Sequence, residues 1–259
     1  MSQSPHISVS AEVIASWYIP TLGRIELTNA MLSAFVVSVL MIVFGSIMGY
    51  QLTKTRKISK TQHFLEGLLL YIRNVTGANL GSNKIANQYL GLTLTLFLFI
   101  VLGSWFGLVP GVLDLKYDVN GEYVHLFRAP TTDLNACIAL AIIAFLTVQI
   151  AGFKALGMAY LGKFFTIKGG PMGSAVGILE FFLEWTRIIS YSFRLFGNIF
   201  AGEVLIIVLS YLVKSTFIPL PAFVIVIETA VAMIQGYVLI SLMTVFIKTA
   251  TQSHDSHAH

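Results

Sequence analysis

The stretch MGSAVGILEFFLEWTRIISYSFRLFGNIFAGEVLIIVLSYL, Met172–Leu212, decides how this chain is built. It is apolar along its whole length and contains no proline. As one helix, its roughly 40 residues reach about 60 Å. That is about twice what an upright crossing of a 30 Å hydrocarbon core needs. Five charged residues and one asparagine interrupt it: Glu180, Glu184, Arg187, Arg194, Asn198 and Glu203. At about 100° per residue, Glu180, Glu184, Arg187, Tyr191, Arg194 and Asn198 fall within one sector of roughly 80°. The pattern predicts a single long, strongly tilted membrane helix with one polar stripe.

Composition agrees with a membrane setting. The 259 residues are 56% hydrophobic and only 11% charged, against about a quarter charged in a soluble domain, and the mean hydropathy is +0.81. The net charge of +4 resides in loops beside apolar segments, which suits membrane orientation rather than nucleic-acid binding. The lone Cys137 excludes an internal disulfide and reads as a packed thiol. No cleavable signal is expected, because Glu12, Arg24 and Glu26 interrupt the first 28 residues.

Working outward, apolar spans are expected at about Ala30–Leu52, Gln88–Leu108 and Leu134–Phe153, then the long helix, then a last run from Pro219 to Lys248. That makes about five crossings. The segment carrying His63, Glu66, Arg73 and Lys84 reads as an interfacial helix and loop, or a poorly anchored hairpin. The acidic loop Leu113–Asp133 ends in TTDLN, with Thr or Asp as the expected helix cap. The fold class is an all-α integral membrane protein. Its expected parts are an external segment 1–28, one membrane domain 29–248 and a flexible cytoplasmic tail 249–259. Basic residues set the orientation. KTRKISK, the loop from Lys154 to Lys168 and the tail after Lys248 share one side, which is then cytoplasmic, with the N-terminus outside. Asn74-Val75-Thr76 has the form of a glycosylation acceptor, but this topology puts it on the cytoplasmic side. His254, Asp255, His257 and His259 read as a solvated tail rather than a metal site.

Within the stripe, Glu180, Glu184 and Arg187 stand three and four residues apart and can neutralise one another. Arg194 has no acidic residue three or four positions away. An arginine at mid-bilayer costs about 2.5–3.5 kcal/mol on insertion scales and cannot shed its proton. It is either a structural ion pair with another helix or a fixed charge facing a mobile carboxylate. Glu203 lies about 180° around the helix from Arg194. Glu228 and Gln235 of the last span are seven residues apart and share a face. Carboxyls that exchange protons in hydrocarbon suit a proton relay; a hydrogen bond across a helical hairpin is the plainer alternative. Gly197 and Gly202 allow either close helix approach or a functional role.

RLFGNIFAGE, Arg194–Glu203, resembles the signature of subunit a of F-type ATP synthases. FRAPTTDLNACIALA, Phe127–Ala141, is similar to that family's second signature, and IETAVAMIQGYVLISLMTVFI, Ile227–Ile247, to its last helix. The similarity runs in order from Phe64 to Lys248. The resemblance implies a stator subunit that carries protons and forms no product itself, with no cofactor and no metal. The long helix and the last helix would form a hairpin against the ring of c subunits. The other partners would be b-type peripheral stalk subunits and the rest of the synthase. Arg194 would face the carboxylate of each passing c subunit. Asn198, Glu203, Glu228 and Gln235 would line the half-channel open to the outside. Glu180 would belong to the cytoplasmic pathway, and Glu184 is its neighbour on geometry. Some members carry histidine where Glu203 or Glu228 stands, whereas this chain has glutamate at both. The signatures suit a bacterial inner membrane, with a mitochondrial inner membrane as the alternative. A self-contained secondary transporter or ion channel could use the same charges, but the two halves show no convincing repeat. A purely structural assembly subunit is the other rival.

Overall fold

The computed structural model describes residues 13–19, 23–54, 60–109, 116–119, 122–163, 170–212 and 219–252. Pro110-Gly111, Lys168, Lys214, most of KTRKISK and the tail from Ser253 lie outside the described residues. Six long helices carry the fold: α1 Asn29–Lys54, α2 Lys60–Leu80, α3 Asn83–Leu108, α4 Leu134–Leu156, α5 Gly170–Leu212 and α6 Pro219–Thr251. Five of them are long and apolar enough to cross a membrane, with windows at Asn29–Ile47, Asn83–Leu108, Leu134–Tyr160, Gly177–Leu209 and Ala222–Thr251. The chain is an integral membrane protein. The long stretch is one helix of 43 residues.

Two short antiparallel hairpins, which the sequence reading did not anticipate, stand among the connecting segments. In one, β1 Val13–Ile19 pairs with β2 Gly23–Thr28. In the other, β3 Lys116–Val119 pairs with β4 Glu122–His125 in a register that sets Val119 opposite Glu122. The bundle core forms where α3, α4, α5 and α6 meet, with α2 added along α3 and α6. Small residues let α4 in closely: Ala141, Ala144 and Ala151 are buried on one face. Gly236 of α6 leaves room for the Phe97 ring of α3. By contrast α1 is peripheral, with only 17% of its apolar window buried.

The ends of α4 are set locally. Asp133 is the cap, its carboxylate accepting from the Asn135 amide at 3.0 Å. At the other end Gly157 takes a positive φ of 57°, and its N–H bonds the Phe153 carbonyl. The following 3-10 turn, Gly157–Lys163, folds back so that the Tyr160 ring occupies the space a side chain at position 152 would need. Cys137 is buried, its thiol directed at the Thr131 carbonyl at 3.2 Å.

The helix expected at the interface, α2, is divided. Its first half is exposed, with Phe64 at 73%. Its second half is core: Ile72 and Thr76 are fully buried. Near its end Asn79 donates to Ser241 Oγ at 3.0 Å and Thr244 Oγ1 at 2.9 Å on α6. The chain then reverses at Gly81, φ 74°, into α3. Interhelical polar bonds of this kind are worth about 0.6–2 kcal/mol. Asn79→Leu should therefore cost about 1 kcal/mol locally. Hydrogen exchange should show lost protection in the second half of α2 with α4 and α5 unchanged; unaltered protection of α2 would refute the clamp.

Candidate functional site

The polar stripe of α5 meets different surroundings along its length. Toward its first half, Glu184 is buried, and two donors engage its carboxylate. Arg187 Nη1 reaches Oε1 at 2.9 Å and Gln149 Nε2 of α4 reaches Oε2 at 3.0 Å. The Tyr160 hydroxyl donates to Gln149 Oε1 at 2.9 Å, which fixes the orientation of that amide. The Arg187 guanidinium lies 3.9 Å over the Phe246 ring of α6, a cation–π contact. The local neutralisation expected for Glu184 and Arg187 is present. Glu180, one turn earlier, is half-buried.

Two turns beyond Arg187 the surroundings change. Arg194 is exposed, as are Ile189 and Phe193 of the same helix. Among the described residues its one polar contact is a long one, Nη2 to Ser190 Oγ at 3.4 Å. Among the described residues no carboxylate pairs with it. Beside it runs a cleft lined by Tyr191, Arg194 and Leu195 of α5 and by Gln235, Val238 and Leu239 of α6. Gln235 is thus brought next to Arg194, while Asn198, one turn on, is exposed. Gly197 faces open space.

The second half of α5 holds the two remaining acids. Glu203 Oε2 accepts from Arg128 Nη2 at 3.1 Å. The stretch from Phe127 builds the seat of that arginine. Phe127 packs edge-on against Phe106, with centroids 5.6 Å apart, and Ala129 fills the space left by Gly107 of α3. Thr131 shares a 3.1 Å hydrogen bond with Ser104. The Arg128 amide donates to Ser33 Oγ of α1 at 3.1 Å. Glu228 of α6, buried at 8% exposure, lays its carboxyl where a side chain at Gly202 would begin. Gly202 is therefore a close-approach glycine, and Gly197 is not.

Sequence reasoning missed three members of this constellation. Arg128 lies inside the quoted stretch Phe127–Ala141, which by itself assigns it no partner. Gln149 is an amide set deep in the apolar run of α4, and that setting is its signal. Tyr160 gave none, since its role depends on the reversal after α4.

The two glycines form a matched test. Both Gly→Ala changes gain the same helix propensity, about 1 kcal/mol, but only Gly202→Ala overpacks, at about 1–3 kcal/mol. Thermal unfolding of the purified protein in detergent should rank Gly202→Ala below Gly197→Ala by that difference. Equal melting temperatures would refute the close contact.

Comparison with known proteins adds to this geometry. The sequence profile of the ATP synthase A chain family matches residues 31–248. ATP synthase subunit a of Gloeobacter violaceus is 32% identical over 233 residues, covering 88% of this chain and 86% of that protein. A membrane bundle whose long helix carries an arginine with no acidic partner among the described residues, and a family match over most of its length, lead to one conclusion: the chain belongs to the ATP synthase A chain family.

Proposed function

We propose that this chain is the stationary proton path of an F-type ATP synthase, working against a rotating ring of c subunits. Family membership supports a proton-translocating subunit of the membrane sector; the division of labour below is our reading. The observation that carries it is Arg194, a permanent cation exposed on its helix with no acidic partner among the described residues. Such a charge is costly in hydrocarbon, so a carboxylate from outside the chain is its natural complement.

A ring carboxylate arriving at Arg194 is stabilised as the anion and gives up its proton toward the cytoplasmic side, past Glu180 and Glu184. As the ring turns, the carboxylate takes a proton from the outer route, lined by Asn198, Glu203, Glu228 and Gln235. It then travels through lipid as the neutral acid. Arg194 also separates the two routes, since a fixed positive charge repels a proton passing straight through. Each proton crossing 100 mV releases about 2.3 kcal/mol, which turns the ring. Peripheral stalk subunits of b type hold the chain in place. In this reading residues 29–248 act as one membrane unit, with the N-terminus outside and the C-terminus in the cytoplasm. A bacterial inner membrane suits the signatures, and a mitochondrial inner membrane is the alternative.

The test uses the assembled synthase in sealed vesicles. Arg194→Ala should abolish ATP-driven proton pumping and raise passive proton leak. Intact pumping by an assembled Arg194→Ala complex would overturn the proposal.

A further inference from the structure

A run of hydrogen bonds that ends on Glu184 begins outside the long helix, in the turn after α4. There the chain reverses at Gly157 and brings Tyr160 back against the end of α4. The Tyr160 ring fills the notch left by Gly152 and meets the Phe153 ring edge-on, with centroids 5.1 Å apart. Tyr160 is 1% exposed, and its hydroxyl donates to Gln149 Oε1 at 2.9 Å. We propose that Tyr160 is a positioning residue: it turns the Gln149 amide so that the seat around Glu184 matches a carboxylate ion and rejects a carboxylic acid. The proposal rests on the cytoplasmic-route reading above and gives Glu184 the task of a fixed charge beside that route.

An amide side chain has an accepting oxygen and a donating nitrogen, so fixing one end decides what the other offers. With Oε1 taken by the Tyr160 hydroxyl, Gln149 presents Nε2 to Glu184 Oε2 at 3.0 Å. Arg187 Nη1 donates to the other oxygen, Oε1, at 2.9 Å. Both carboxylate oxygens thus face donors, and charge-assisted bonds of this kind are about twice as strong as neutral ones. A proton on either oxygen would point at another hydrogen and weaken the contact. Turned the other way, the same amide would offer Glu184 an oxygen, which suits the protonated acid. Tyr160 holds the amide in the first state. The charged groups of α5 beside Glu184 are Arg187 and, one turn earlier, Glu180; the turn after α4 supplies Tyr160, and α6 supplies the Phe246 ring against Arg187. Glu184 therefore stays an ion and Arg187 stays on Phe246. A proton released near Arg194 passes this pair without stopping on it.

The test measures gradient-driven ATP synthesis by the intact synthase in sealed vesicles, per assembled complex. The pH on the cytoplasmic side is varied at one fixed proton-motive force. Tyr160→Phe keeps the ring in its notch and removes only the hydroxyl. With the amide free to turn, Glu184 can take a proton as the pH falls. The variant should therefore drop progressively behind the unaltered complex as the pH is lowered, to a deficit of about fivefold, the scale of one hydrogen bond. Gln149→Leu should show the same trend, and the double variant should be no slower than the slower single one, since both act on one contact. A Tyr160→Phe deficit that is equal at every pH, or no deficit, would overturn the proposal.

If neither variant assembles, infrared difference spectra of the unaltered complex against Glu184→Gln decide. Glu184 should contribute a carboxylate band and no protonated-carboxyl band; a protonated-carboxyl band would overturn the inference. Arg194→Ala in the same vesicles separates the two levels. If that complex still couples normally, the cytoplasmic-route reading fails, whereas the infrared bands report the state of Glu184 either way.

Discussion

Hydrocarbon does not tolerate a lone charge, and the arrangement of this bundle follows from that constraint. The long helix carries more charge than any other span, so its neighbours are placed to receive it. Gln149 on α4 and Arg187 within α5 satisfy Glu184, and the segment before α4 delivers Arg128 to Glu203. Packing serves the same end: Gly107 admits Ala129 and Gly202 admits Glu228. Among the described residues, Glu228 and Arg194 stand outside the scheme. Glu228 can meet the constraint by accepting a proton. Arg194 cannot, and it lies on the outer face of the bundle, where a partner from elsewhere can reach it.

Much of this was legible in the sequence because it is local. Hydropathy located the five spans within a few residues. The absence of proline made α5 one helix, and the spacing of its charges put them in a stripe. TTDLN announced the start of α4, and three-residue spacing the Glu184–Arg187 pair. What stayed hidden depends on distance along the chain. Arg128 and Glu203 are 75 residues apart, and nothing in either neighbourhood names the other. Asn79 is separated from Thr244 by 165 residues; seen alone, its helix looks only half apolar, so its inner half passed for an interface. The hairpin at Lys116–His125 is a different omission. Asn120-Gly121 between two short β-prone runs is a strong hairpin signal, and the weight of apolar helix around it obscured it.

The separation of Gly197 from Gly202 shows how little spacing alone conveys about glycine. Both lie in the same signature and both would permit close helix approach. Only one has a neighbour to approach. The distinction comes from α6, whose Glu228 arrives at Gly202 and whose Gln235 arrives two turns away beside Arg194. Helix α6 thus determines which small residue of α5 is structural.

The knot of Tyr160, Gln149, Glu184 and Arg187 has a mechanical meaning. In the proposed role, a part that stands still while a ring turns against it is loaded sideways, and a long rod would bend under that load. The knot braces α5 against α4 through hydrogen bonds, and Arg187 rests on Phe246 of α6. Such a cross-tie stiffens the first half of the rod. In the proposed role, elastic energy stored during each step would then accumulate in the rotor and its stalk rather than leak into flexing of this helix.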